Sequence, residues 1–214
     1  MVLPGVYAPQ EDTALLVGAL SDESLPPGAA VLDVGTGSGA LALAAARRGC
    51  RVTAVDVSRR AVWAARLNAA RTGVRLRVLR GNLFTPVRGE TFDLVLANPP
   101  YVPAPGGGPG PRGAARAWDA GHDGRLVLDR ICAQAPALLR PGGVLLLVQS
   151  SLSDPDRTVA RLRDAGLKAA VTRRQRIAFG PVVRGRVHWL RQRGLLSHAD
   201  NDEELVVVRA ELPV

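Results

Sequence analysis

Val31-Leu32-Asp33-Val34-Gly35-Thr36-Gly37-Ser38-Gly39 is the stretch on which the fold turns. A short apolar run enters three alternating glycines, and an Ala/Leu-rich stretch, Ala40 to Arg48, follows. That order predicts a buried strand, a tight turn and a helix, closed by Gly49. Glycines in such a turn let the backbone take positive φ and come close to a ligand. A second strand, Arg51 to Val55, runs into Asp56. Asp56 lies close to the roughly 20-residue spacing at which a βαβ unit places a ribose-binding carboxylate.

A dinucleotide site would satisfy the same glycine pattern, with Ala40 as its third small residue. Asp33 argues against it. A carboxylate two positions before the first glycine repels a pyrophosphate and attracts the ammonium of a methionine moiety. The stretch therefore reads as a site for S-adenosyl-L-methionine, with Asp33 as a contact; the competing role for Asp33 is to cap the glycine turn.

Outward from this centre, strands and helices alternate. Ser58 caps a helix over Arg59 to Arg71 that stops at Thr72-Gly73, and Val74 to Leu79 and Phe92 to Ala97 read as further strands. Pro103 to Gly113 is Gly/Pro-rich and is expected to be a mobile loop. A helix over Arg125 to Leu139 leads through Pro141-Gly142-Gly143 into the strand Val144 to Gln149. Asp154 to Ala165 is an amphipathic helix, Leu167 to Thr172 a strand, and Glu204 to Leu212 the last strand. Continuous apolar strands alternating with helices imply an α/β fold, a mostly parallel seven-stranded sheet covered on both faces.

Two segments break the rhythm of this single domain, 1–214. Residues 1–29 form an N-terminal extension with a helix over Glu11 to Leu20, expected over the cofactor site. Residues 173–203 form an Arg-rich insertion before the last strand. It carries seven arginines (Arg173, Arg174, Arg176, Arg184, Arg186, Arg191, Arg193), a helix near Pro181 to Arg193 and an acidic turn at Asp200 to Glu204.

Asn98-Pro99-Pro100-Tyr101 follows the fourth strand directly, at the sheet edge where open α/β folds bind ligands. Two prolines would end a strand in any case. The tetrad also suits methylation of a planar amide or conjugated amine. The Asn98 oxygen can accept one N–H of such a group and the Pro99 carbonyl another. The prolines, Pro100 included, stiffen the loop, and Tyr101 offers an aromatic face. Asn98, Pro99 and Tyr101 are the expected catalytic residues, and all four the expected substrate contacts. No general base is evident. Trp118 and His122 are candidates for the substrate entrance, while His188 and His198 read as structural or exposed.

Composition bounds the rest. Apolar residues make up 47% and aromatics only 4%, so the core is Leu, Val and Ala. No stretch approaches the roughly 20 apolar residues of a membrane helix. Met1 to Gln10 has neither a positive region nor a long apolar segment, so no signal peptide and a cytoplasmic location are expected. Cys50 and Cys132 lack metal-ligand or disulfide spacing, and no metal is expected. The net charge of +9 comes from 28 basic and 19 acidic residues, and Lys168 is the only lysine. Nucleic acid is a possible partner through the Arg-rich segment 173–193; compositional bias toward Arg, Ala, Gly, Val and Pro is the competing explanation.

The chain resembles the HemK-type N5-glutamine methyltransferases. The resemblance is carried by Tyr7-Ala8-Pro9-Gln10-Glu11-Asp12-Thr13, Asp33 to Gly39, Gly81-Asn82-Leu83-Phe84 and Asn98 to Tyr101. It extends through Trp118, Gly121, Gly124 and Arg125 to the strand after Gly143, over roughly residues 5–172. The tetrad is shared with amine methyltransferases at large; Tyr-x-Pro-x-Glu-Asp-Thr is more specific. The resemblance implies a Rossmann-like class I methyltransferase fold whose last strand runs antiparallel, S-adenosyl-L-methionine as cofactor, and a release-factor glutamine as substrate. Only about 29 residues precede the first strand, which suggests the short branch without the helical N-terminal domain, in which a small zinc-binding subunit activates the enzyme. By position it assigns Thr13, Asp33, Gly35, Gly37, Asp56, Asn82, Leu83 and Asn98 to the cofactor, and Asn98 also to the substrate amide. Asn82 stands where the family usually has Asp. Rival readings are a nucleic-acid methyltransferase acting on an exocyclic base amine, a non-catalytic cofactor-responsive module on ribosomal components, and a nicotinamide dehydrogenase.

Overall fold

In the computed structural model, residues 1–106 and 118–214 are described. Seven strands form one sheet: β1 (Ala30–Val34), β2 (Arg51–Asp56), β3 (Leu76–Arg80), β4 (Phe92–Ala97), β5 (Leu139–Ser150), β6 (Lys168–Ala178) and β7 (Asp202–Glu211). Their spatial order is β3-β2-β1-β4-β5-β7-β6. The first five pair in parallel, and β7 runs antiparallel to both of its neighbours, as expected of the last strand.

The helices are α1 (Glu11–Asp22), α2 (Ala40–Arg47), α3 (Arg59–Arg71), α4 (Leu128–Gln134), α5 (Pro155–Asp164), α6 (Pro181–Arg184) and α7 (Val187–Gln192). Adjacent residues of a strand point to opposite faces, and both faces here are apolar. Val31, Val52, Leu94, Leu146 and Val207 pack with Leu16 and Leu20 of α1, Leu41 of α2 and Val62 of α3. Leu32, Val55, Val95, Leu145 and Val208 pack with Leu128 and Ile131 of α4 and Leu162 of α5.

Where elements differ from expectation, tertiary structure decided. The helix expected from Arg125 starts at Leu128, because Arg125 turns inward. It is 2% exposed, and its guanidinium donates to the Ser153 and Asp154 carbonyls and the Thr158 hydroxyl. That helix gives way to a 3₁₀ turn at Ala135–Leu138, where Pro136 removes a donor. β6 continues past Thr172 to Ala178, because β7 offers it a partner along the whole length. Arg173, Arg174 and Arg176 therefore lie on a strand, and the connection between β6 and β7 shrinks to 179–201. The single helix expected near Pro181 to Arg193 is two short ones, α6 and α7. Much of the loop expected over Pro103 to Gly113 lies outside the described residues.

Residues 179–196 make a third apolar cluster. Phe179, Val183, Leu190 and Leu196 pack on Val102 and Leu152, with Tyr101 and Trp118 at the margin. The Arg-rich connection is thus seated beside the tetrad. Arg186 fastens it, donating to the Pro103 carbonyl at 3.0 Å and pairing with Asp119.

Candidate active site

β3, β2, β1 and β4 lie side by side, so their C-terminal ends bring four loops together. The glycine turn after β1 is pinned to β2: the Gly35 and Thr36 amides donate to the Val55 carbonyl at 2.8 and 3.0 Å. Gly35 and Gly37 have φ of 75° and 55°, the left-handed region that side chains disfavour. The Gly37 amide then donates to Asp56 Oδ2 at 2.9 Å, and the Ser58 amide to Asp56 Oδ1 at 2.8 Å. Asp56 is thus fixed at the end of β2 with lone pairs to spare. Burial pushes its carboxyl up from its usual value, against the pull of these amides.

Asp33 lies beneath this turn, fully buried. Its Oδ2 accepts from the Thr36 hydroxyl at 2.6 Å and the Ala42 amide at 3.0 Å, while Oδ1 has no partner. It therefore caps the glycine turn and the start of α2, the competing role weighed above. One oxygen remains for a ligand. Burial raises its carboxyl to about 7.

The third loop, Gly81 to Phe84, is tied to the same strand end: the Gly81 amide donates to the Asp56 carbonyl at 3.0 Å. This sets Asn82 and Leu83 beside Asp56. Leu83 takes a φ of 48°, strain of a kind concentrated at ligand sites. Asn82 is exposed, and its Oδ1 accepts from Arg130 at 3.3 Å.

The tetrad completes the cleft. Asn98 follows β4 directly, with its backbone carbonyl on the Gly35 side of the edge. Its Nδ2 donates to the Thr13 hydroxyl at 3.4 Å. Thr13 comes from α1, because residues 1–13 run from α3, where Arg60 holds the Pro4 carbonyl, past Gly37 to Asn98. Pro99 is buried, Pro100 and Tyr101 partly so. The structure thus brings Thr13, Asp33, Gly35, Gly37, Asp56, Asn82, Leu83 and Asn98 to one edge of the sheet, with Pro99, Pro100 and Tyr101 adjoining.

Four residues matter here that the sequence did not single out for a role. Asp12, 3% exposed, accepts from the hydroxyls of Tyr7 (2.7 Å) and Tyr101 (3.0 Å). Burial and this carboxylate drive both tyrosines far above their ordinary values, so both remain donors. Glu203, at the start of β7, is buried and accepts from Ser150 Oγ at 2.7 Å; burial and Asp12 push its carboxyl up. Gly124 has φ 72°, and a Cβ there would collide with the Tyr101 carbonyl. Of these, Asp12 and Tyr7 fall within the Tyr7–Thr13 segment, where an acid in a first helical turn passes for a helix-end charge. Trp118 packs at the margin of the apolar cluster beside Tyr101, and the His122 ring lies 6.4 Å from that of Trp189.

The Methyltransferase small domain family matches residues 1–105. A putative protein N5-glutamine methyltransferase of Methanocaldococcus jannaschii is 35% identical over 177 residues, 82% of this chain and 88% of that protein. The release factor glutamine methyltransferase of Geobacter sulfurreducens is 33% identical over 200 residues, 87% of this chain and 68% of that one. The chain belongs to the protein N5-glutamine methyltransferase family. In structure it is similar to a chain of the E. cuniculi Mtq2–Trm112 complex, described as responsible for methylation of the termination factor eRF1. That match has a TM-score of 0.69 at 25% identity and covers 97% of this chain and 99% of that one.

This protein N5-glutamine methyltransferase family member is an S-adenosyl-L-methionine-dependent enzyme. The cleft fits that cofactor. A positive-φ glycine cradle admits a close ligand, Asp56 is fixed at the end of β2 with acceptor capacity to spare, and Asp33 Oδ1 is a buried acceptor lacking a donor. Thr13, Asp33, Gly35, Gly37, Asp56, Asn82, Leu83 and Asn98 are the residues that would hold it. Among the described residues, no helix is long and apolar enough to cross a membrane.

Proposed function

We propose that this enzyme transfers a methyl group to the side-chain amide nitrogen of a protein glutamine, in a peptide chain release factor, in the cytoplasm. The observation that carries the reading is the seat of Asn98. Its nitrogen is tied to Thr13, which leaves its oxygen to accept from a substrate amide.

The cofactor supplies an electrophilic methyl carbon on a sulfonium. An amide nitrogen is a weak nucleophile, since its lone pair is delocalised into the carbonyl, so orientation is the main contribution the protein can make. Asn98 Oδ1 accepts one N–H of the substrate and the Pro99 carbonyl the other. With both hydrogens held, the flat NH₂ group presents its π face. Tyr101, locked by Asp12, walls the opposite side. As the nitrogen takes the methyl group it gains positive character, which the two acceptor oxygens stabilise. One of its two protons then leaves to solvent, and the product is a neutral N-methyl amide.

Support for a release factor as substrate comes from the names of the relatives and from the eRF1 complex. The same complex supports a small activating subunit as partner. The test is mass spectrometry of a release factor treated with enzyme and labelled cofactor, with and without a small subunit, beside total RNA and DNA. One methyl group on a glutamine is expected. Label in nucleic acid alone overturns the reading.

A further inference from the structure

We propose that Asp12 is a positioning residue: it fixes which way round the Asn98 carboxamide is held, and so restricts the site to substrate groups that bring hydrogens. This deepens the reading of Asn98 as the group that grips the substrate amide, and rests on it.

An Asn side chain has two ends of nearly equal size, one donating and one accepting. Shape alone does not choose between them. Here the choice is made two hydrogen bonds away. A carboxylate accepts and cannot donate, and offers about four lone-pair directions. Asp12 receives four donors: the backbone N–H and hydroxyl of Thr13 on Oδ1, and the hydroxyls of Tyr7 and Tyr101 on Oδ2. It is buried, so no water competes.

The Thr13 hydroxyl has one hydrogen, and it is given to Asp12 at 3.1 Å. What remains on Thr13 Oγ1 is lone pairs. The group facing them, Asn98, must bring its NH₂, and it does so at 3.4 Å. Turned the other way, Asn98 Oδ1 would face an oxygen with nothing to donate, and one buried acceptor would go unpaired. The polarity therefore runs in one direction, from Asn98 through Thr13 into Asp12, and ends with Asn98 Oδ1 free to accept.

The second arm of Asp12 holds the other end of the tetrad. Tyr101 donates to the same oxygen as Tyr7, so a single carboxylate sets both Asn98 and Tyr101. Two further titratable groups face this cluster, Glu11 and Glu203, and the hydrogen-bond partner of Glu203 is Ser150. Among the described residues Glu203 makes no hydrogen bond to Thr13 or Asn98, so it is not part of the relay.

Asp12→Asn tests this, because an amide of the same size can donate as well as accept. The Thr13 hydroxyl is then free to turn round, and Asn98 to flip. On a glutamine-containing substrate, kcat is expected to fall at least about tenfold, the loss of one directed hydrogen bond. KM and the affinity for S-adenosylhomocysteine should move less than about threefold. Thr13→Val should match Asp12→Asn in its loss of kcat, Thr13→Ser should lose far less, and the double variant should have a kcat no lower than the poorer single one. Independently of turnover, the Asn98 side-chain NH₂ signal in a ¹H–¹⁵N spectrum should be protected from water exchange in the native chain and lose that protection in Asp12→Asn and Thr13→Val. If Asp12→Asn does not fold, the Thr13 pair and the amide signal decide.

An unchanged amide signal, unchanged kcat or additive losses overturn the proposal. If the native enzyme methylates glutamine and Asn98→Ala is dead while Asp12→Asn is silent, only the role of Asp12 falls. If Asn98→Ala retains turnover, the reading of the site falls with it.

Discussion

The two walls of the cleft are held in different currencies. The cofactor wall, from Asp33 to Ser58, is a backbone construction: glycines at positive φ, main-chain amides on the Val55 carbonyl, and more amides closing on Asp56. The substrate wall is a side-chain construction. Tyr7, Thr13, Tyr101 and, through Thr13, Asn98 radiate from the one carboxylate of Asp12. A wall of main-chain bonds is sensitive to where the chain can go and indifferent to most side chains. A wall of side-chain bonds fails one residue at a time.

The largest expected effect follows from that difference. Asn98→Ala should lower kcat by about 10²–10³, the scale seen when one transition-state hydrogen-bonding group is removed. The affinity for S-adenosylhomocysteine, measured by calorimetry, should weaken less than about fivefold, because Asn98 is one of several residues assigned to the cofactor and the backbone cradle stays intact. Equal losses in both would erase the distinction between the walls.

Asp33 sharpens the comparison from the other side. Burial raises its carboxyl to about 7 from an unfolded value of 3.8. The folded chain therefore binds this proton more tightly than the unfolded one. The stability it contributes is complete below about pH 4 and is lost as pH rises through about 7. Between those limits the cofactor-free enzyme should lose on the order of 2–4 kcal/mol from this group. Asp33→Asn, whose oxygen can still accept from Thr36 and Ala42, should flatten that slope in denaturant titrations at pH 5 and pH 8. A slope that persists in Asp33→Asn locates the charge penalty elsewhere, Asp56 being next.

Gly37→Ala isolates the backbone itself. No atom lies closer than 4.0 Å to the added methyl group, so the penalty is conformational. Forcing an L-residue to φ 55° costs about 1–2 kcal/mol. Cofactor affinity should fall about tenfold, with KM for the protein substrate little changed. A variant that binds cofactor normally would show that the turn is not under the constraint argued here.

The cofactor wall was also the more legible of the two. Its constraints are local: a glycine turn must contain glycines, and a ribose acid must end the next strand. Asp33, Gly35, Gly37 and Asp56 announce themselves by spacing alone. The alternation of strands and helices was legible for the same reason, as apolar runs punctuated by turns, whereas the antiparallel β7 followed from the family resemblance and the strand order came from the structure. The substrate wall joins residues 7–13 to residues 98–101, far apart in the chain, and no periodicity marks a partner at such distance. Asp12 looks like an acid at a helix start, and Glu203 like part of an acidic turn. Their work is visible only once β7 is inserted beside β5 and α1 is laid over the edge. The length of β6 was hidden likewise, since Arg173, Arg174 and Arg176 suit an exposed loop until a pairing strand is known.

The smallest effect concerns the arginines beyond the substrate wall. Four of the seven between 173 and 193 are already engaged. Arg173 pairs with Asp22, Arg174 with Glu204 and Arg186 with Asp119, and Arg191 donates to the Ser197, His198 and Asp200 carbonyls. Arg176, Arg184 and Arg193 are exposed and have no acidic partner among the described residues. They sit on three different elements: near the end of β6, at the end of α6 and just past α7. A surface that grips a nucleic-acid backbone loses about 0.9 in its salt slope for each phosphate contact removed, so three true contacts would shift it by nearly 3. Anchored as their neighbours are, these three are expected to act as a solvated edge. Replacing all three by Ala should change the salt slope of RNA binding by less than about 1 and kcat/KM on a release factor by less than about twofold. A slope that falls by 2 or more would turn this edge into a phosphate-reading surface and extend the side-chain-built wall beyond the cleft.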